Sequence, residues 1–361
     1  MQHKLPMPKS GIMDIAPYVP GKSNVDSDVT RLIKLSSNEN ALGCSDKAKE
    51  AYMAEIPELN RYPDGQAAQL KQAVEEVLGF KPEKLVIGAG SDEIIQFLIN
   101  AYSGPGDEVL QSAHGFLMYQ IYTKGAGAKP VFAEENNLTT DVDALLAAVT
   151  GRTKLVFVAN PNNPTGTFIP FSELKRLRDG LPSNVILAVD EAYVEYANID
   201  GYETATSLVD TTPNTVVLRT FSKAYGLPAL RLGFGYMPET IADVLNRIRG
   251  PFNVGSAAIA AGAAAVRDQE FIKHSVEDNT KQRKWLANEC TKLGYHVVPS
   301  ATNFVLLRCG AGGNPEASEV AKQLASKGII TREVGNYGLP EYLRISIGTA
   351  EENQAVIDAL K

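Results

Sequence analysis

The sequence predicts an α/β protein: a mostly parallel sheet flanked by helices on both sides, followed by a smaller α+β lobe. Three observations carry this expectation. From Tyr62 onward, short β-branched runs alternate with longer amphipathic segments. Two of the runs, TKLVFVAN and NVILAVDEAY, are almost continuously apolar, as strands buried on both faces are. After about Pro251 the texture changes to a long alanine-rich stretch and then to a short series of strands and helices.

The elements follow in order. The first forty or so residues, rich in Pro, Gly, Ser and Asn, read as an extended arm laid over the body. KLVIGAG is a short strand, and SDEIIQFLINAYS carries helical apolar spacing behind Ser91 as the N-cap. DEVLQSA and KPVFAEE are further strands, joined by the two apolar runs above and by TVVLRTFSK. GSAAIAAGAAAVRDQEFIKHSVEDNTKQRKWLANECTKLG reads as one long helical stretch. HVVPSATNFVLLR, GIITREV and YLRISIG then look like three strands, with helical PEASEVAKQLASKG between the first two and AEENQAVIDALK at the end. This divides the chain into an arm with part of the small lobe (1–45), a large lobe (46–255) and a small lobe (256–361). No internal repeat or low-complexity segment is visible.

Composition narrows the function classes. The chain has 361 residues, 44% hydrophobic and 21% charged, enough for a sizeable core and a second lobe. A net charge of −7 without a basic tract argues against nucleic acid as the main partner, although local arginines could still hold small anions. Cys44, Cys290 and Cys309 form no C-x-x-C pair, which fits free thiols in a reducing compartment. His3, His114, His274 and His296 show no metal-ligand spacing, so no metal is assigned. MQHKLPMPKSGIMD lacks the apolar core of a signal peptide, and no apolar run reaches the roughly eighteen residues of a membrane helix. A soluble cytoplasmic protein is expected.

The chemistry-bearing residues fall at strand ends, where open α/β sheets bind ligands. GAG closes one strand and Ser91-Asp92 opens the next helix, so backbone N–H groups and the helix dipole could cradle a phosphate; alone this is also an ordinary capped turn. The dinucleotide pattern G-x-G-x-x-G is incomplete there, which disfavours a nicotinamide dehydrogenase. NPNNPTG fixes a turn that leaves the Asn163 amide as a hydrogen-bonding partner. In VDEAY, Asp190 places a carboxylate at the end of a buried strand, where it needs a cationic or proton-donating partner unless it merely caps a turn. Lys223, in TFSKAYGLPALRLGFGY, also follows a β-branched strand. An amine held at an apolar strand end can be neutral enough to attack a carbonyl and form a Schiff base. Taken together, these parts describe one ligand. A lysine imine, an aspartate for a protonated ring nitrogen, Asn163 and Tyr193 for a phenolic oxygen, and a helix N-terminus with Ser222 and Arg231 for a phosphate point to pyridoxal 5′-phosphate.

Nearly the whole chain resembles the histidinol-phosphate aminotransferase family, within the pyridoxal-phosphate (PLP) fold type I enzymes. The matching stretches are LSSNENALG, NRYPDG, GAGSDEII, NPNNPTG, VDEAY, RTFSKAYGLPALRLGFGY and YLRISIGTAEEN, in the family's order and spacing. The resemblance implies that Lys223 carries the cofactor imine, that Asp190 pairs with the ring nitrogen, and that Asn163 and Tyr193 face the ring oxygen. Ser91, Asp92, Ser222 and Arg231 would surround the cofactor phosphate. Tyr62 would reach the phosphate in a neighbouring subunit, making a homodimer with shared sites. Tyr18, Asn38, Arg332 and Arg344 would meet the substrate, with the NEN arm closing over it. The implied reaction moves the amino group of L-histidinol phosphate to 2-oxoglutarate, a step of histidine biosynthesis, with Lys223 as the proton carrier.

The sequence departs from the family pattern at Ala41 and in the CSD that follows Gly43, where proline and a Gly-Pro-Ser run are usual. HGFLMY offers Phe116 to stack on the ring, with Tyr119 as the other aromatic. Two rival activities share most of these residues: an aminotransferase for phenylalanine or tyrosine, and a PLP lyase such as a threonine-phosphate decarboxylase. A non-catalytic PLP-binding module would need a regulatory segment beyond this enzyme-sized body.

Overall fold

The computed structural model describes residues 7–17 and 31–361. Its centre is a sheet built from β1 (Leu85–Gly88), β2 (Glu108–Ser112), β3 (Lys129–Ala133), β4 (Thr153–Ala159), β5 (Ile186–Asp190), β6 (Thr215–Thr220) and β7 (Gly233–Tyr236). The spatial order is β1-β7-β6-β5-β4-β2-β3. The run from β6 through β5, β4 and β2 to β3 is parallel, whereas β7 lies antiparallel to both β6 and β1. β7 is the GFGY of the glycine-rich run, a strand that its composition did not announce.

Both faces of the sheet are covered, and the two-residue period of a strand sorts the side chains. Along β4, Leu155 and Phe157 join one core with Ile94, Leu98 and Leu218, while Val156 and Val158 join the other with Leu174, Leu187 and Phe234. Each such side chain contributes about 1.5–3 kcal/mol on leaving water, which is why the apolar runs read so clearly as strands. The alanine-rich helix Ser256–Arg267 packs into the second of these cores. Its small side chains permit close approach: a Cβ at Gly262 would meet Leu232 Cδ2 at 2.3 Å.

The alanine-rich stretch is not one helix. It breaks at Asp268, whose backbone leaves helical geometry and whose carboxylate accepts from Ser45 Oγ and from Lys47 Nζ, the latter at 2.9 Å. The following helix, Gln269–Lys292, sends Leu286 and Cys290 into a separate core with Val305, Leu307, Leu343 and Ile345. That core belongs to an antiparallel sheet of β8 (His296–Val298), β9 (Phe304–Arg308), β10 (Arg332–Glu333) and β11 (Tyr342–Ser346), ordered β8-β9-β11-β10. Two of the expected strands are thus divided. HVVPSATNFVLLR is interrupted between Pro299 and Asn303, and GIITREV is split between Ile329–Ile330 and Arg332–Glu333. The arm enters the same core, with Ile33 and Leu35 buried in it and Ile33–Lys34 pairing in parallel with Ile329–Ile330. No helix among the described residues is long and apolar enough to cross a membrane.

Candidate active site

The parallel strands deliver their carboxyl ends to one edge of the sheet. Phe116 follows β2, Asn163 follows β4, Asp190 ends β5, and Ser222 and Lys223 follow β6. Since β7 runs the other way, the residue just ahead of it, Arg231, reaches the same edge, as does Ser91 after β1. These residues line one cavity of about 210 Å³, together with Asp92, Tyr193 and Thr220.

One end of the cavity is built for an oxyanion. The helix Ser91–Tyr102 starts at Gly90, not at a Ser91 cap; Gly90 has φ 84° and supplies no side-chain cap, and no side chain among the described residues accepts from the first turn. The helix's leading N–H groups therefore lack side-chain partners, and the positive end of its dipole faces the cavity wall. The turn is packed so closely that a Cβ at Gly90 would stand 2.7 Å from Arg231 Nη2, and one at Gly233 would stand 2.3 Å from Ser91 N. Arg231, itself in left-handed backbone geometry at φ 48°, donates from Nη1 to Pro228 O at 3.0 Å and to Ser222 Oγ at 3.4 Å. Asp92 turns one carboxylate oxygen to the Tyr122 hydroxyl at 3.0 Å, and burial raises its pKa. Its other oxygen is buried without a partner among the described residues.

The other end holds a carboxylate and an amine. Asp190 accepts from the Tyr119 hydroxyl at 2.8 Å and from Ala192 N at 3.1 Å, and no cation pairs with it among the described residues. Burial pushes its pKa up to about 6, opposed by those hydrogen bonds. Lys223 Nζ lies 5.6 Å from the Tyr193 ring centre and donates to Ser37 O at 3.4 Å. Burial, and then the Arg344 charge, bring its pKa down to about 8. Phe116 lines the cavity, whereas Tyr119 is fully buried, stacked on Phe157 at 4.6 Å.

A third group borders this end. Arg344, in β11, donates to Asn163 Oδ1 and to Ser36 O (3.1 Å), and its guanidinium lies 5.3 Å from the Phe304 ring centre. Its Nε is buried without a partner among the described residues. Asn38 donates from Nδ2 to the Tyr193 hydroxyl at 2.9 Å and from its backbone to Ser346 Oγ at 2.8 Å. Asn303 fixes that turn through the Asn38 and Glu39 carbonyls. Arg332 stands opposite Arg344 in the β10–β11 register. Tyr62 lies off the cavity, 83% exposed and stacked on Phe252 at 4.7 Å. Tyr18 lies outside the described residues.

The donor set fits pyridoxal phosphate. It offers a buried carboxylate without a counter-charge, a lysine of lowered basicity beside it, and a glycine-lined helix start with Arg231 and Ser222 at the opposite end. Sequence reasoning had not singled out Tyr119 and Tyr122 as hydrogen-bonding supports of the two aspartates. Their three-residue spacing, which puts both on one side of the helix Leu117–Ala126, was the available signal.

Comparison with known proteins agrees with this geometry. Residues 30–360 match the family described as aminotransferase class I and II. The chain is 52% identical over 356 residues to the histidinol-phosphate aminotransferase of Paramagnetospirillum magneticum, covering 99% of this chain and 98% of that one. It is 51% identical to the enzyme of the same name from Rhodospirillum rubrum, covering 99% and 96%. Among solved structures, histidinol-phosphate aminotransferase from Sinorhizobium meliloti in complex with pyridoxal-5′-phosphate superimposes with a TM-score of 0.89 at 29% identity, covering 100% and 97%.

Proposed function

The chain belongs to the class I and II aminotransferases, and from that premise we propose that it transfers the amino group of L-histidinol phosphate to 2-oxoglutarate, using pyridoxal 5′-phosphate. The products are imidazole acetol phosphate and L-glutamate, which makes this a step of histidine biosynthesis. The observation that carries the reading is the convergence of Lys223, Asp190 and the Ser91–Arg231 cradle on one cavity, in a chain half identical to enzymes of that name.

When bound, pyridoxal phosphate supplies an aldehyde that condenses with amines and a ring that takes up the electrons left by a departing Cα proton. Ser91, Asp92 through its backbone, Ser222 and Arg231 would hold its phosphate. Asp190 is the counter-charge for a protonated ring nitrogen; beside that cation its pKa falls from about 6, so the carboxylate stays ionised at neutral pH. Tyr119 and Ala192 N fix its orientation. Asn163 and Tyr193 would meet the ring oxygen, and Phe116 would cover a ring face. Lys223, with a pKa of about 8, is about one-tenth uncharged at pH 7, far more than an ordinary lysine. Its amine would therefore be the group that holds the cofactor aldehyde and, when free, would carry the substrate Cα proton as general base and acid. Arg344, with Arg332, Asn38 and Tyr18, would receive the anionic end of either substrate; a guanidinium fork suits both phosphate and carboxylate.

The lobe division at 45 and 255 belongs to the same reading, with Ser256–Arg267 packing on the large-lobe core. So do a homodimer and a cytoplasmic location. Met53, Ile56 and Leu59, shortly before Tyr62 in the chain, are exposed, as is Phe252 stacked on Tyr62, and a second copy would cover these apolar side chains while receiving Tyr62 at its cofactor phosphate. Free Cys44, Cys290 and Cys309 suit a reducing compartment. The test is to supply the protein with 2-oxoglutarate and either histidinol phosphate or phenylalanine and to measure glutamate. Efficient turnover of histidinol phosphate is expected. Turnover of phenylalanine alone would replace this substrate, and carbon dioxide release without glutamate would indicate a lyase.

A further inference from the structure

A groove of about 720 Å³ lies away from the active site, between the turn Asn198–Asp200 and the helix Gln269–Lys292. Arg283 lines it, although the residue is only 5% exposed. Its one hydrogen bond among the described residues, from Nη1 to Thr302 O at 2.7 Å, uses a carbonyl that already accepts from Asn279 at 3.3 Å. No carboxylate pairs with Arg283 among the described residues, and burial alone pulls its pKa down to about 10. A guanidinium has five N–H donors, and a buried cation without a counter-charge is costly. Lys284 stands next to it on the groove wall, and among the described residues Asp200 is the one carboxylate lining the groove. Ile199, Val297 and Pro299 form an apolar strip on a wall that also carries Asn198, Asn288, Thr291 and Ser300.

We propose that this groove is a second binding site, taking a small monocarboxylate with an apolar body, its carboxylate on Arg283 and Lys284 and its body against Ile199, Val297 and Pro299. Two cations opposed by one carboxylate leave a net single positive charge, which suits a monoanion better than a phosphate dianion. Charge-assisted hydrogen bonds to the guanidinium N–H groups that Thr302 does not occupy supply the affinity. The bare alternative is that Arg283 only ties down the Thr302 carbonyl, in which case no ligand is needed.

The test is calorimetric titration of the holoenzyme with benzoate, with inorganic phosphate as a comparator. Two benzoate sites per chain are expected, one of them insensitive to Arg344→Ala. That site should weaken at least tenfold in Arg283→Met, the loss expected for hydrogen bonds to a charged group. Lys284→Glu at the rim and Ala287→Trp, which fills the groove, should weaken it in the same way and do not disturb the buried Arg283–Thr302 contact. Phosphate should bind this site more weakly than benzoate. A single site abolished by Arg344→Ala, binding unchanged by Lys284→Glu and Ala287→Trp, or tighter phosphate than benzoate would each overturn the proposal.

Discussion

Asp190 and Glu191 are neighbours in sequence, and both are buried at the end of β5, yet they live in opposite electrostatic surroundings. Glu191, on one side of the sheet, is saturated. Its carboxylate accepts from Ala205 N at 2.6 Å, from Thr204 Oγ1, and from Arg219 Nε at 2.9 Å, with Arg219 Nη2 at 2.8 Å completing a fork. Asp190, on the other side, has neutral donors only, and burial lifts its pKa to about 6. The two cations differ in the same sense. Burial opposes the charge on Arg219, but the Glu191 and Glu195 carboxylates outweigh it and its pKa rises; Lys223 has no bonded carboxylate and its pKa falls. Burial is common to both constellations. What separates the reactive one is the missing counter-charge, a deficit that a ligand can fill and a structural ion pair cannot offer.

The sharpest way to break this contrast is to remove one cation from each side. Lys223→Ala should cost about 10⁴-fold in transamination and abolish the near-visible absorbance of cofactor joined to the protein, while leaving urea unfolding of the apoprotein close to wild type. Arg219→Met should do the reverse. Leaving Glu191 buried and unpaired costs about 3–5 kcal/mol, read as a lowered urea midpoint, and Arg219→Met combined with Glu191→Leu should recover most of it. If Arg219→Met abolished turnover without loss of stability, the ion pair would belong to the chemistry and the distinction would fail.

This contrast was half legible in the sequence. Asp190 and Lys223 stood out because each follows a strongly apolar strand, and strand polarity alone placed both at one edge. The saturation of Glu191 was not legible, since its partners Thr204, Ala205 and Arg219 come from separate elements and no spacing links them. The same limit explains the fold-level differences. The parallel strands were visible as continuous apolar runs buried on both faces. The break at Asp268 depends on Ser45 and Lys47, more than two hundred residues away in the chain, and helical composition on either side of it hides the interruption. In the sequence Tyr119 is only the second aromatic beside Phe116; the packed helix shows that its hydroxyl is spent on Asp190.

A smaller effect is expected at the border of the reactive side. Arg344 is buried, as Arg219 is, but its contacts are an amide oxygen, a backbone carbonyl and an aromatic face, so its charge is available to substrate. Arg344→Ala should lower kcat/KM for histidinol phosphate and for glutamate alike, by about 10²-fold, with apoprotein stability less affected than in Arg219→Met. A loss confined to one of the two substrates would show that Arg344 does not serve both anions.

The smallest effect tests the electrostatic cause directly, through the pH dependence of stability in the apoprotein. The folded state holds Lys223 at a pKa of about 8, and the unfolded chain at about 10.4. Between these values the unfolded state binds more protons, so this lysine makes stability rise with pH across the window. Below pH 8 both states carry the charge and the full desolvation penalty applies; above the unfolded value neither does. The side chain is partly accessible, and with solvent screening the rise should be on the order of 1 kcal/mol. Other lysines, tyrosines and cysteines titrate nearby, and the informative quantity is therefore the difference between variants. Lys223→Met should flatten the slope of urea midpoint against pH, while Arg219→Met, lowered throughout, should keep it, because a guanidinium paired with Glu191 does not titrate in that range. An identical slope in wild type and Lys223→Met would mean that the amine is not held against its charge, and its assigned reactivity would lose its physical basis.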